Sequence, residues 1–488
     1  MTDRPNILLL VTDQQRFDTV GANGADICQT PNIDRLAAGG VTFTKAYTPI
    51  SLCSPARASL FTGILPHRHG ITRNTGVLPP AARALPRQFP TLAERLRGVG
   101  YACFLEGKWH IGTRSAMDCG FEGPDHPGYG SPMASDTYRD YLARFGLDQP
   151  EITALGVGWR HNFALAGKLS GPVEASVPAY LAQRTIDRLE ACSKTDQPFL
   201  IATCFWGPHA PYLPSEPFAS QYDPDTIPPW GNFEDNFAGK PSLYRRYQEA
   251  FLGAGGEKRS WRECALWAAL YFGFVSQIDA QIGRILQALD DLGLADNTLV
   301  VFTTDHGDLT GAHGGLHDKS AMMVEELYHV PLVVRWPDGR HAGERNAALT
   351  STIDVPATAL AAAGAPTDGL DGFALGDANR GTLVCATWGN HFGYESRMIT
   401  DGRWKYIFHP ADRDELNDLK TDPWEMTNRA DDPSAKSELA ALRGALIDWT
   451  GAHEDPIWDP LVNLYGDRSQ CGLANAQPYR HRSYTNGR

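Results

Sequence analysis

A chain of 488 residues with 42% hydrophobic and 21% charged side chains carries enough apolar material for a sizeable core, which excludes a wholly disordered polymer. At roughly 100–200 residues per domain, the length predicts two or three domains. Lysine and arginine number 44 against 57 aspartates and glutamates, a net charge of −13. This argues against a nucleic-acid binder and requires that any anionic ligand find a local cluster of cations.

The first predicted element is NILLLVTD (6–13), a continuous apolar run ending in an aspartate, as in a parallel strand buried on both faces. Its apolar core, Ile7 to Val11, is too short for a signal-peptide core. TPNIDRLAAGG (30–40) predicts a helix with Thr30 as cap, Pro31 in the first position and a double-glycine stop. LCSPARASLFTG (52–63) places Cys53 at the head of another helix, with Pro55 in its first turn. FPTLAERLRGVG (89–100) repeats the helix grammar, and YACFLEGKWHIG (101–112) reads as a strand running into a loop. PFLIATCFWGPHAPY (198–212) is a further apolar strand, ending in a Pro-rich loop around His209.

Residues 213–260 have no clear period and read as an insertion or lid, with Trp230, Phe233 and Tyr244 as packing residues. Residues 261–293 form a long helix, whose most apolar stretch (264–275) falls short of the roughly 20 residues of a membrane span. Strands at 297–308 and 330–337 and a helix at 351–364 complete an alternating pattern, that of an α/β sheet with helices on both faces. Beyond about residue 380, antiparallel strands around the Asp401-Gly402 turn and a helix at 434–453 predict a smaller α+β unit. The expected partition is a catalytic α/β domain over 1–375, a C-terminal α+β domain over 376–455 and an aperiodic tail over 456–488. The tail is expected to dock on a neighbouring subunit of a homodimer or homotetramer. Nine cysteines without a C-x-x-C pair predict reduced thiols in a cytoplasmic protein with no membrane association.

Two strands rhyme: one ends at Asp13-Gln14 and another at Asp305-His306. Ligands gather at the carboxyl ends of strands in open α/β sheets, and these donors suit Ca²⁺ or Mg²⁺, or Mn²⁺ given the imidazole. Cys53 at a helix N-terminus sits where N–H groups and the dipole favour an anion, and Arg57 follows one turn later. Lys108 and His110 stand two apart after a strand, on one face of an extended segment. His209 lies between prolines, and Lys319 lies in a Gly- and His-rich loop. Each has an ordinary structural explanation alone. Together they describe a site for a tetrahedral oxyanion ester.

Cys53-Ser54-Pro55-Ala56-Arg57 resembles the sulfatase signature C-x-P-x-R. The resemblance continues through PNILLLVTDQ, TPNIDRLAAGGVTFTKAY, GKWHIG, GPHAPY, TTDHGD and DELNDLKTDPWEMTN in family order. The chain is similar to the type I sulfatases of the alkaline phosphatase superfamily, near the choline sulfatase and phosphonate monoester hydrolase branch. This implies a mixed, mostly parallel sheet sandwiched by helices, with the smaller C-terminal domain beside it. It also implies oxidation of Cys53 to formylglycine by a formylglycine-generating enzyme. One hydroxyl of the hydrated aldehyde attacks sulfur and the alcohol leaves; the second lets the intermediate collapse to sulfate and aldehyde.

By the same resemblance Asp13, Gln14, modified Cys53, Asp305 and His306 hold one divalent metal, Ca²⁺ first and Mn²⁺ as the alternative. Arg57 stabilises the ionised hydrate, and Lys108 and Lys319 bind sulfate oxygens. His110 acts as base, His209 with Lys319 assists the leaving oxygen, and Asn74 contacts the ester group. The implied activity is hydrolysis of small aryl or alkyl sulfate monoesters, with phosphonate monoester or phosphodiester hydrolysis as the alternative. Phosphonate hydrolases carry Tyr and Thr where this chain has Lys108 and His110, which favours sulfate.

Overall fold

A computed structural model describes residues 4–74, 82–124, 126, 132–157, 164–252, 259–319, 322–376, 380–389 and 393–466. The strand Asn6–Asp13 is buried along its whole length. Ile7, Leu9 and Val11 face one cluster, shared with Leu60 and Phe61, while Leu8 and Leu10 face another, shared with Ile33, Leu181 and Ile278. The two-residue period of a strand sends alternate side chains to opposite helical layers, so the uninterrupted apolar run follows from burial on both sides.

Seven strands form the main sheet, in the order Glu344–Asn346, Val41–Phe43, Leu332–Arg335, Thr298–Thr304, Asn6–Asp13, Phe199–Pro208, Ala102–Gly107. The last four named are mutually parallel. Leu332–Arg335 runs antiparallel to both neighbours, which makes the sheet mixed. Because the four parallel strands point the same way, their carboxyl ends deliver Asp305, Asp13, the Pro208-His209 turn and Lys108 to one edge.

The helices begin where local chemistry satisfies their first N–H groups. Thr91 and Glu94 make a capping box on Leu92–Arg97, as Ser260 and Glu263 do on Trp261–Asp291. Pro31–Ala38 departs from expectation. The Thr30 hydroxyl accepts from the Gly21 amide, and Asp279 of the long helix instead accepts from the amides of Asn32 (3.1 Å) and Ile33 (2.8 Å). A tertiary contact does what the local side chain was expected to do. Features without a counterpart in the sequence reading include the helices Asp136–Phe145, capped by Ser135, and Val177–Cys192, capped by Ser176, and the hairpin Ile152–Val157 with Ala164–Leu169.

The described residues of 213–260, namely 213–252 and 259–260, are not a loose cover. They contain the helix Ser242–Leu252 and pack between the long helix and the C-terminal sheet. Phe233 meets Trp261 edge-on, the Tyr244 hydroxyl donates to Glu415 at 2.5 Å, and the Tyr247 hydroxyl donates to the Lys319 carbonyl at 2.7 Å. The reading of these aromatics as packing residues holds for all three: Phe233, Tyr244 and Trp230, which meets Trp261 and Phe272 edge-on. Trp230 donates to the Thr310 carbonyl at 2.7 Å.

The C-terminal sheet is antiparallel, with Leu383–Thr387, Ser396–Thr400, Trp404–Phe408 and Glu415–Asp418 in that order. The helix Lys436–Ala452 packs Leu442 and Leu446 on Tyr406 and Phe408. The expected aperiodic tail needs correction at its start. Trp458–Tyr465 is a helix, and its Leu461 is buried in the same cluster. Residues 467–488, the greater part of the tail 456–488 expected to contact a neighbouring subunit, lie outside the described residues. Among the described residues no helix is long and apolar enough to cross a membrane, and the cysteines are free thiols.

Candidate active site

Cys53 is the first residue of the helix Cys53–Thr62, every residue of which is buried. Asn74 accepts from the Ser54 amide through its side-chain oxygen at 2.8 Å, capping the helix from 20 residues downstream in the chain. The Cys53 sulfur lies 3.2 Å from His306 Nε2 and 3.9 Å from Asp13 Oδ1. Arg57, one turn on, spreads its guanidinium over three strand ends. Nε donates to Asp305 at 2.9 Å, Nη2 to Asp13 at 2.7 Å and Nη1 to the Lys108 carbonyl at 2.7 Å. It is fully buried, so its first task is to hold two carboxylates and a backbone turn in register.

The aspartates and His306 follow from the strand ends. Asp305 Oδ1 accepts from the amides of Gln14 (3.0 Å) and His306 (2.9 Å). His306 Nδ1 lies 2.9 Å from the Gly307 carbonyl, which leaves Nε2 turned toward Cys53. Donor atoms of Asp13, Cys53, Asp305 and His306 all lie within 4.8 Å of one another in a buried cluster that could hold a metal ion. Gln14 has a left-handed backbone, φ 67°, and its carbonyl accepts from the Tyr271 hydroxyl at 2.8 Å. The Gln14 amide nitrogen donates to Asp308 and Asp318, and its amide oxygen accepts from Lys319 at 2.7 Å.

Lys108 reaches Asp13 Oδ2 at 2.7 Å. Lys319 Nζ lies 2.9 Å from His209 Nε2 and 3.0 Å from Asp318. His110 is also left-handed, at φ 56°, and its side chain is buried near Cys53 and Lys108. The extended geometry expected for 108–110 therefore breaks at His110, whose left-handed backbone places its side chain near the same centre that Lys108 reaches through Asp13. Asn74 was expected at the ester; the described geometry gives its carbonyl oxygen to the helix end.

Charge is distributed to favour an anion at position 53. Burial opposes ionisation of the Cys53 thiol, but Lys108, Lys319 and His306 hold it well below the usual thiol range. Burial alone would lower His306; Asp305 and Cys53 reverse this and push it up to about 9. Burial depresses His110 to about 4, so it stands as a neutral imidazole. Burial works against the charge of Asp13, yet Lys108 and Arg57 keep it below the carboxylate range, whereas burial and the facing Asp13 raise Asp305. Lys319 is held above its ordinary range by Asp318 despite burial.

Two acids escaped the sequence reading. Asp308 accepts from Tyr212 (2.8 Å), from the Thr310 amide (2.6 Å) and hydroxyl (2.8 Å), and from the Gln14 amide. Asp318 receives Gln14 and Lys319 together. Both stand inside quoted motifs, TTDHGD and HGGLHDKS, where adjacency to site residues was the available signal.

The sequence model of the sulfatase family matches residues 5–365. The chain belongs to the sulfatase family. A second match, to the C-terminal region of N-sulphoglucosamine sulphohydrolase, covers residues 311–450 of this sulfatase. It is 29% identical to an uncharacterized sulfatase of Escherichia coli, covering 93% of this chain and 88% of that protein. It is 28% identical to the choline-sulfatase of Rhizobium meliloti, over 93% and 88%. Among solved structures, the phosphonate monoester hydrolase of Agrobacterium radiobacter superposes with a TM-score of 0.76 at 26% identity, over 92% of this chain and 96% of that one. The fold of this sulfatase is thus alkaline phosphatase-like, as the motifs implied.

Proposed function

We propose that this sulfatase hydrolyses small aryl or alkyl sulfate monoesters to an alcohol and inorganic sulfate, with the nucleophile carried at position 53. The observation that carries this reading is the buried cluster at residue 53: His306 at 3.2 Å and Asp13 at 3.9 Å from its sulfur, Asp305 beside them, Lys108 on Asp13 at 2.7 Å and Lys319 on Gln14 at 2.7 Å. Formylglycine at position 53 supplies a hydrated-aldehyde nucleophile, a chemistry the thiol lacks. Two carboxylates, an imidazole and the oxygen at position 53 form a hard donor set with Gln14 beside it, which fits a divalent cation, Ca²⁺ first and Mn²⁺ as the alternative. Such an ion, when bound, supplies positive charge to a sulfate oxygen.

The chain's own groups perform the remaining tasks. Arg57 fixes Asp13 and Asp305 in place. Lys108 and Lys319 neutralise the charge that builds on the sulfonyl oxygens. His209, against Lys319, hands a proton to the departing alcohol oxygen, and neutral His110 accepts one at position 53. Sulfate ester substrates, a modifying enzyme during maturation, a cytoplasmic setting and a homodimer or homotetramer complete the reading.

Phosphonate monoester or phosphodiester hydrolysis is the second reading, favoured by the superposition on the A. radiobacter enzyme. Specificity constants on 4-nitrophenyl sulfate and 4-nitrophenyl phenylphosphonate separate the two: sulfate is expected to be the better substrate, and the reverse order overturns the first reading. Intact mass tests the nucleophile. A loss of about 18 Da against the encoded sequence is expected in active protein, and full activity without it refutes the assignment.

A further inference from the structure

An apolar cavity of about 280 Å³ opens beside the cationic cluster. It lies between the end of the strand Phe199–Pro208, the first turns of the helix Val177–Cys192, the long helix and the Ile152 hairpin. Its apolar wall includes Ile152, Val177, Leu181, Trp206, Leu213 and Phe274. The ionisable side chains among the described lining residues are Lys108 and His209, and no carboxylate joins them. These two side chains also belong to the catalytic cluster, Lys108 on Asp13 and His209 against Lys319. The cavity therefore begins where the ester's bridging oxygen must lie.

The geometry points to this cavity as the site for the alcohol part of the substrate, and to an uncharged apolar alcohol: a medium alkyl chain or a fused aryl group. This inference rests on the sulfuric ester reading above. A sugar would bury most of its hydroxyl groups against apolar walls that offer few polar partners, which is unfavourable. A quaternary ammonium would enter past Lys108, whose charge repels it, with no carboxylate among the described lining residues and only the faces of Phe205, Trp206 and Phe274 to offset that repulsion. Size agrees. A dry cavity of roughly 150 Å³ holds benzene, so this one takes about two fused rings or a chain of about six carbons. In the cleavage step the S–O bond breaks and the alcohol oxygen keeps its electron pair. It takes a proton from the His209–Lys319 pair, while a hydroxyl oxygen of the position-53 hydrate bonds to sulfur; that oxygen becomes the fourth of sulfate when the hydrate collapses to the aldehyde, which water then rehydrates. The alcohol is already in an apolar pocket as its charge is quenched.

The test uses the mature, metal-loaded enzyme on ethyl, butyl and hexyl sulfates and on choline sulfate, with ethyl, butyl and hexyl phenylphosphonates in parallel. The expected result is a kcat/KM that climbs about threefold to fourfold per methylene from ethyl to hexyl. Choline sulfate is expected at least tenfold below butyl sulfate, although choline is the better leaving group. Val177→Trp, which fills the cavity from the first helical turn, is expected to lower the hexyl-to-ethyl ratio at least tenfold. A flat series, or choline sulfate above butyl sulfate, overturns the inference without touching the sulfatase reading. Turnover of the phosphonates alone removes the sulfate reading, and the chain-length slope on the phosphonates then decides the cavity by the same criterion.

Discussion

Arg57 and Lys108 both touch Asp13, yet they do different work. Arg57 has no solvent contact and bridges Asp13, Asp305 and a backbone carbonyl. Removing it leaves buried carboxylates without their cation, so Arg57→Ala is expected to lower the unfolding free energy by about 3–5 kcal/mol in denaturant titration. Lys108→Ala leaves Asp13 paired with Arg57. It is expected to cost little stability and about 10²–10³ in kcat. A third residue acts at one remove. Asp308 orients the Gln14 amide, and Asp308→Asn is expected to weaken metal affinity about 10–100-fold in calorimetric titration of chelator-stripped protein. Most of this was legible, because motif spacing names the groups that carry charge. The partners that aim them were not: Asp308 and Asp318 look like turn acids until Gln14 folds back at φ 67°.

Among the elements, those whose pattern reflects burial could be read directly. NILLLVTD declares a strand covered on both faces, and the Asp401-Gly402 turn joins two strands in register, Thr400 opposite Lys405. The exceptions were those governed by distant partners. Thr30 has the right identity for a cap, but Asp279 holds the helix amides. The helix 458–465 is too short to show a period, and it exists because Leu461 is covered by the C-terminal core. The Cys53 helix also depends on a distant group. Asn74→Ala is expected to cost about 1 kcal/mol of stability, and Asn74→Asp, which keeps an acceptor, to recover most of it in thermal melts.

The main part of the molecule is tied to the C-terminal sheet by a buried ionic network. His313 lies 2.9 Å from Asp235 and 3.3 Å from Glu326, Asn232 bonds to both His313 and Glu326, and Lys405 of the C-terminal sheet meets Glu325 at 3.0 Å and also Glu425. Burial would lower His313, but Glu326 and Asp235 raise it to about 9. A raised histidine stabilises the fold fully below its ordinary value of about 6.5 and loses that contribution as pH climbs through 9. The share of His313 in the unfolding free energy is therefore expected to fall by about 3 kcal/mol between pH 6.5 and 9.5, read as the difference between the wild-type and His313→Gln slopes, since His306 titrates in the same window. Glu425, pushed up to about 7 by burial, loses its contribution as pH rises through 7 from its ordinary range, mostly below the histidine window.

The burial of the helix Cys53–Thr62 imposes an order of events. Cys53, Ser54, Pro55 and Arg57 have essentially no accessible surface in the folded chain, so no second enzyme can grip them there. If position 53 is oxidised, the oxidation must come first, while the segment is still an open peptide. A chain that folds early is committed to its thiol. Purified unmodified protein is thus expected to keep its mass when the modifying enzyme is added, and to lose about 18 Da only if it is unfolded in that enzyme's presence and then allowed to refold.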